Sequence, residues 1–343
     1  MKTFLKLGSR VLLLPLLTSF LSLVGCAPVD GGKEIWRFAI EEPVGSVQWA
    51  YAERFEELIE ERTANAVDVQ IYPYGTLGTS DHVTELLRMG TVQFATASPG
   101  HLGKLIPEVQ VLLLHFVFSE DAAVTRDALR DPQLRAAFDR FYEEKGFRLL
   151  SIFQEGWQVW TTRKEVRSPE DFSGLRMRVM TSPMLLAAYE AYGASPTPLP
   201  YGEVYSALQL RMIDGQVNPV FAIEEMSFYE VTDVMTFPYH LPFVTTVAAN
   251  ETFIEGLPEG HQELIRGVIH ELQDHIFEVQ TRYNRERLET IRQRKPEMEI
   301  THLTAEERNR FREASLQVRQ EFLDSVGPTG REALDALASA MER

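Results

Sequence analysis

From Pro258 to about Lys295 the sequence keeps one charged helical pattern with few breakers. Its apolar stripe is Leu264, Ile265, Val268, Ile269 and Leu272, spaced by three and four residues. A helix of roughly 36 residues is about 54 Å long, longer than a single small domain. A chain that holds such a helix either spans two domains with it or bends it. With 343 residues, both two domains and one large one are open.

Ahead of that helix, strand and helix patterns alternate. IWRFAIE (35–41) reads as a buried strand, and VQWAYAERFEELIEERT as a helix with Ala52, Phe55, Leu58 and Ile59 on one face. VDVQIYP alternates Val67, Val69 and Ile71 as a strand does. In GTLGTSDHVTELLRMG, Ser80 is expected to cap a helix faced by Val83, Leu86 and Leu87 and ended by Gly90. TVQFATAS is a further strand. This order argues for a doubly wound α/β domain. A helical stretch follows from about Ala122 to Glu144, then the strands FRLLSIF, WQVWTT and GLRMRVM. SPMLLAAYEAYG is a helix ending at Gly193, and the proline-rich ASPTPLP is an edge strand or connector. YGEVYSALQLRM is a helix closed by the turn Asp214-Gly215. Beyond the long helix, EITHLTAEERNRF returns to a strand and then a helix, with Thr304 and Glu307 spaced as a capping box.

The first residues read as a leader. MKTFLKLGSR carries Lys2, Lys6 and Arg10 and no acid, and VLLLPLLTSFLSLV follows. That apolar run of about 14 residues falls short of the roughly 20 needed to cross a bilayer as a helix. Leu23-Val24-Gly25-Cys26 resembles the lipobox of bacterial lipoprotein signals. Residues 1–25 are therefore expected to be a signal peptide, Cys26 the lipidated N-terminus and 26–33 a tether. Cys26 is the only cysteine, so no internal disulfide exists. The expected product is an exported acidic domain, held at a membrane by its lipid anchor only. The formal charge of −16 excludes nucleic acid and anionic membrane surfaces as partners of a basic face. An anionic ligand must be caught by a local positive site.

GLRMRVM offers such a site. Arg176 and Arg178 alternate onto one face of a strand. Signals for catalysis are missing. The eight histidines are scattered, with no HExxH, and there is no GxSxG elbow and no GxGxxG fingerprint. GHLGK (100–104) lacks the spacing and the Ser/Thr of a phosphate loop. The adjacent acids Glu41-Glu42 and Glu224-Glu225 are expected to diverge, which argues against a catalytic dyad. No cofactor, no metal site and no enzyme activity is expected. Polar and aromatic residues gather instead around the proline-rich middle: Arg178, Tyr201, Glu203, Tyr205, Gln209, Asp214, Gln216, Asn218 and Phe221. Glu203, Gln209 and Asp214 read as helix-surface or turn residues and Tyr205 as core. The remainder suits a small-molecule cleft, in which an Arg grips a carboxylate with two parallel N–H groups.

The segment GLRMRVMTSPMLLAAYEAYGASPTPLPYGEVYSALQLRMIDGQVNP resembles the signature region of the DctP family. These are the substrate-binding subunits of tripartite ATP-independent periplasmic (TRAP) transporters. IYPYGTLGTSD and SPGHLGKLIPEV extend the likeness, which covers essentially the whole mature chain. The resemblance implies an α/β, two-lobed periplasmic binding protein fold with a hinge and a long domain-spanning C-terminal helix. Approximate lobes would be 34–156 plus 245–285 (lobe I) and 157–244 plus 286–343 (lobe II). It implies capture of a small organic carboxylate and delivery to membrane permease subunits driven by an ion gradient. It assigns the carboxylate clamp to Arg178, with Asn218 hydrogen-bonding the same carboxylate. Arg176 gets no ligand role and reads as an ion-paired or rim residue.

Within the family the likeness is greatest to the ectoine-binding subunits. That likeness puts Glu42 against the ligand's cationic ring, Tyr201 and Phe221 at aromatic walls, and His101 where an ectoine binder carries Phe. Dicarboxylate and sialic-acid binders resemble this chain less. They carry a further Arg in the strand before the clamp, where this chain has Trp157 and Gln158. A zwitterionic, ectoine-like carboxylate is the favoured ligand. The alternatives are a C4-dicarboxylate or 2-oxo acid, or a sensor that presents its liganded form to a receptor.

Overall fold

The computed structural model describes residues 32–343. The leader, Cys26 and most of the tether lie outside them. Ten strands form one mixed sheet: β1 (Glu34–Ala39), β2 (Val67–Tyr72), β3 (Phe94–Ala97), β4 (Phe147–Thr162), β5 (Arg176–Val179), β6 (Ser195–Pro198), β7 (Gly215–Pro219), β8 (Val234–Phe237), β9 (Pro242–Asn250) and β10 (Glu299–His302). Their order is β2-β1-β3-β9-β4-β7-β5-β6, with β8 also on β4 and β10 on β8. β1 runs parallel to β2 and β3, and β5 parallel to β6 and β7. The strands meeting β4 and β9 are antiparallel.

β4 joins two lobes. From Phe147 to Trp157 it pairs with β9, and from Gln158 to Thr162 with β7. The sequence reads as two strands here because Gln154-Glu155-Gly156 interrupts the apolar pattern. The backbone instead carries straight through, with register shifts at Leu149/Ser151 and Gln154/Gly156. Gly156 takes φ +122°, and a Cβ there would stand 2.4 Å from Asn284 Nδ2. Only glycine accepts both the dihedral and the crowding. Asn284 belongs to the long helix. Its Nδ2 donates to Glu155 O (2.7 Å), and its Oδ1 accepts from Phe221 N–H (3.3 Å). The sheet's crossing point is thus tied to the helix Val220–Glu225.

The long helix is Glu259–Arg294, 36 residues. Its buried face, Ile265, Val268, Ile269, Leu272, Ile276, Val279 and Ile291, packs on the helix Val47–Arg62, on β4 and on Val220–Glu225. It therefore spans both lobes. The stretch expected as helical from Ala122 to Glu144 is two helices, Ala122–Leu129 and Pro132–Glu143. Asp131 stops one and caps the next, accepting from the N–H groups of Gln133 and Leu134, with Pro132 at the first helical position. Ser80 is the first helical residue rather than the cap, which is Thr79. The Thr304/Glu307 capping box forms. β6 lies at the sheet edge, where its prolines cost no ladder bond. The helix Ala305–Val326 packs on Pro183–Ala191, whereas the last helix, Pro328–Met341, packs on Pro132–Glu143, with Arg140 on Glu332 at 2.6 Å.

Candidate functional site

Between the lobes lies a cavity of about 30 Å³ lined by Glu41, Glu42, Gln48, Ser80, Ser98, His101, Arg178, Met180, Tyr201, Asn218 and Phe243. That is room for roughly one or two waters, so a larger guest requires the walls to draw back. Across the cleft the Tyr74 hydroxyl accepts from Gly202 N–H (3.2 Å), and the Tyr74 and Tyr201 rings meet edge-on at 5.8 Å. Ser182 Oγ donates to Gln110 Oε1 (3.0 Å).

Lobe I supplies acids. β1 ends at Ala39, so strand alternation no longer governs Glu41 and Glu42, and both turn inward, 7% and 6% exposed. This corrects the expectation that the adjacent acids diverge. Glu41 Oε2 accepts from Ser98 N–H at 2.8 Å, while its buried Oε1 has no partner among the described residues. Glu42 accepts from Gln48 N–H (3.3 Å) in the first turn of Val47–Arg62, where the helix dipole favours a negative charge. His101 lies on the short helix Pro99–Leu102 that follows β3. Its Nδ1 is 3.0 Å from Asp81 Oδ1, and Lys104 Nζ holds the other Asp81 oxygen at 2.6 Å. These hydrogen bonds, that of His101 first, pull Asp81 down to about 2. Held at Nδ1, His101 is one of the residues lining the cavity.

Lobe II supplies the cation. Arg178 on β5 is 2% exposed, and its Nε and Nη2 both donate to Leu199 O (3.0 and 2.8 Å). Among the described residues no carboxylate pairs with it, and burial pushes its guanidinium down to about 10. Asn218, on β7, donates to Gln216 Oε1 (2.5 Å), and Gln216 donates to Thr161 Oγ1 (2.8 Å). This chain of bonds fixes the Asn218 amide. Arg176 sits at the exposed end of β5 with two bonds to Asp214 (2.9 and 2.8 Å). The shared strand face therefore holds one spent arginine and one unspent.

Of the residues singled out in the sequence, Arg178, Asn218, Glu42, Tyr201 and His101 meet at this cavity. Phe221 is not among its lining residues: it is 1% exposed, packed in the core beside the helix Val47–Arg62. Tyr205 is half-buried rather than core, its hydroxyl 3.2 Å from Glu230 Oε2. Glu41, Gln48, Ser80, Ser98, Met180 and Phe243 were missed. Glu41 could have been found by noticing that the apolar run of β1 stops before it, whereas Phe243 had no local signal.

The electrostatics are unusual for a site without a catalytic task. Glu42 is pushed well above the carboxylate range by burial and by repulsion from Glu155 and Glu225. Burial lifts Glu155 to about 7, and Glu225 to about 8 against the pull of Arg287. A buried guanidinium without an acid and buried acids without a base each carry an uncompensated desolvation cost on the order of several kcal/mol. They stand on opposite walls of one cavity. A second, larger cavity of about 360 Å³ lies on lobe I between Pro132–Glu143, β4 and the long helix. Two of its arginines are already satisfied, Arg135 by Asp139 (2.7 Å) and Leu150 O (2.8 Å) and Arg148 by Glu251 (2.8 Å). Among the described residues no group of three or more His, Cys, Asp or Glu could hold a metal. No helix there is long and apolar enough to cross a membrane.

Residues 38–325 match the DctP family, bacterial extracellular solute-binding protein family 7. The chain is 38% identical over 298 residues to the ectoine/5-hydroxyectoine-binding periplasmic protein UehA of Ruegeria pomeroyi, covering 87% of each chain. It is 38% identical over 301 residues to the ectoine-binding periplasmic protein TeaA of Halomonas elongata, covering 88% of each. The TeaA structure superposes with a TM-score of 0.87 at 37% identity, over 90% of this chain and 99% of that one. A TRAP periplasmic solute-binding protein of Marinobacter aquaeolei, solved in an apo open form, superposes at 0.84 with 41% identity, over 89% and 99%. Its two lobes, its spanning helix and a match along most of its length place the chain in the DctP family, as a TRAP-type solute-binding protein and not an enzyme.

Proposed function

We propose that this protein is the extracytoplasmic subunit of a TRAP transporter and captures a small zwitterionic carboxylate, ectoine-like in charge layout, for delivery to an ion-gradient-driven permease. Arg178 and Asn218 take the carboxylate. Glu42 takes the cationic or polarised N–H end, with Tyr201 as an aromatic wall and His101 as a polar one. Phe221 backs the pocket from behind rather than touching the ligand. The observation that carries this reading is the unpaired buried guanidinium facing unpaired buried carboxyls across one cavity, which a ligand with both charges would satisfy at once. A dicarboxylate would set its second charge against Glu41 and Glu42. The names of UehA and TeaA support the ligand class. The lobes are taken as 34–156 plus 245–285 and 157–244 plus 286–327, with the last helix on lobe I. The lipobox-like Cys26 supports periplasmic export with a lipid anchor. Loss of fatty-acid labelling in Cys26→Ser is the expected result, and its persistence removes the anchor. For the ligand, calorimetry should rank ectoine and hydroxyectoine above succinate and a 2-oxo acid. Succinate binding best would overturn the zwitterion.

A further inference from the structure

Glu155 lies in β4 at the crossing between the lobes and is 0% exposed. It does not line the cavity, yet it is bound to a residue that does. The Gln48 amide donates to Glu155 Oε1 (3.0 Å), while Gln48 N–H donates to Glu42 Oε2 (3.3 Å). One glutamine thus bridges the two carboxyl groups, by its backbone to Glu42 and by its side chain to Glu155, and the two acids interact directly as well. Glu155 Oε2 is buried with no hydrogen-bond partner among the described residues, and the Thr245 hydroxyl beside the carboxyl offsets only part of the cost of its burial. Glu41 adds a buried, unpartnered Oε1 on the cavity wall.

The groups around the pair do not neutralise it. From Val220–Glu225 comes Glu225, another acid. Arg287, on the long helix, is held by Glu224 at 2.8 Å. Tyr201 carries a phenol that burial keeps protonated. Arg178 faces the cavity from β5 with its field falling on Tyr201 and Tyr74. His101 acts on Glu41 and is itself held by Asp81. Two adjacent carboxylates in so dry a place cannot both ionise, and such a pair titrates as a unit.

We infer that Glu42 and Glu155 hold one proton between them when the lobes meet without ligand, and that the cationic end of a ligand replaces it. Glu155 is then a positioning residue that acts through Glu42 and sets the preference for a positively charged ligand end. The step balances: a zwitterion enters, the Glu42–Glu155 proton leaves to solvent, and the positive charge lost with the proton is restored by the ligand's cationic end. A ligand without a cation leaves the proton in place. This rests on the zwitterion reading above.

Two measurements separate the two ideas. Infrared spectra of the ligand-free protein near pH 6 should show protonated-carboxyl carbonyl absorption that Glu155→Gln diminishes by about one carboxyl, the buried Glu41 and Glu225 contributing equally to both proteins. The amide introduced by Glu155→Gln keeps the acceptor for Gln48 and donates to Glu42, so the fold is retained, which a melting curve checks. Equal absorption in the two proteins overturns the pair, whatever the ligand. Calorimetry of ectoine in two buffers of different ionisation enthalpy should then show release of about one proton, with affinity rising up to about tenfold per pH unit below the pair's raised titration range and levelling off above it. Glu155→Gln should flatten that profile, which a merely structural role would not do. Ectoine binding without proton release overturns the exchange and leaves the ligand reading standing. Ectoine failing to bind while the absorption difference is present overturns the ligand reading and, with it, the exchange.

Discussion

Arg178→Lys keeps the charge and changes the geometry. The guanidinium has five N–H groups. One edge, Nε and Nη2, is used on Leu199 O, so the Nη1–Nη2 edge keeps two parallel N–H groups for a carboxylate. A lysine ammonium cannot hold Leu199 O and present that fork together. The lost pairing is worth roughly 2–5 kcal/mol for a buried charged pair, or about thirty-fold to a few thousand-fold in Kd. Arg176→Lys changes a residue already bonded to Asp214 at the exposed strand end, and ligand affinity should not move. A third variant separates ligand binding from stability. Arg178→Met removes an unpaired buried charge, a gain of about 1–4 kcal/mol in comparable cases. It also strips Leu199 O of its donors, a loss of about 1–3 kcal/mol. The two offset, so Arg178→Met should melt near the wild type while binding nothing. Calorimetry with whichever tested acid binds the wild type, paired with melting curves, decides. An Arg178→Lys affinity within about threefold of wild type, or an Arg178→Met protein that does not fold, refutes the clamp reasoning.

Gly156→Ala forces a Cβ into Asn284 at φ +122° and should cost about 1–3 kcal/mol in urea unfolding; an unchanged midpoint would mean the crossing relaxes freely. Tyr74→Phe removes the acceptor of Gly202 N–H but keeps the ring on Tyr201, so ligand dissociation in stopped flow should quicken by about fivefold for about 1 kcal/mol, and an unchanged rate would deny the cleft contact a latching role. Burial lowers His115 to about 3 and His240 well below its ordinary value, so the unfolded chain binds more protons. Stability should therefore fall as pH drops from about 6.5, at up to about 1.4 kcal/mol per pH unit for each histidine. The raised carboxyls act in the opposite sense, so the test is the difference between wild type and His240→Phe, whose acid slope should be shallower; equal slopes would refute it.

Much of the fold was legible because its signals are local. The apolar stripe of the long helix, the Thr304/Glu307 box and the prolines of β6 each declare themselves within a few residues. The failures have local causes as well. A Gln-Glu-Gly triplet reads as the end of a strand, yet in β4 it is a bulge stabilised by Asn284, some 130 residues away in sequence. Asp131-Pro132 was a helix-start signal passed over inside an apolar periodicity that suited one helix.

The site was legible where a motif concentrated it, around Arg178, Tyr201 and Asn218, and only half legible on the opposite wall. The reason lies in the division of charge between lobes. The guanidinium belongs to β5 and the acids to the turn after β1 and to β4, so neither set looks unusual beside its own neighbours. Arg176 and Arg178 appear equivalent until Asp214 is seen to take one of them. Glu155 appears as one more acid in an acidic chain until Gln48 brings it against Glu42. What makes these groups a site is that each is buried without its counter-charge where the lobes meet. The free energy that would favour closure on a ligand and the free energy that would select its charge pattern then reside in the same side chains. A ligand with only one of the two charges would leave one wall of the cavity buried and uncompensated.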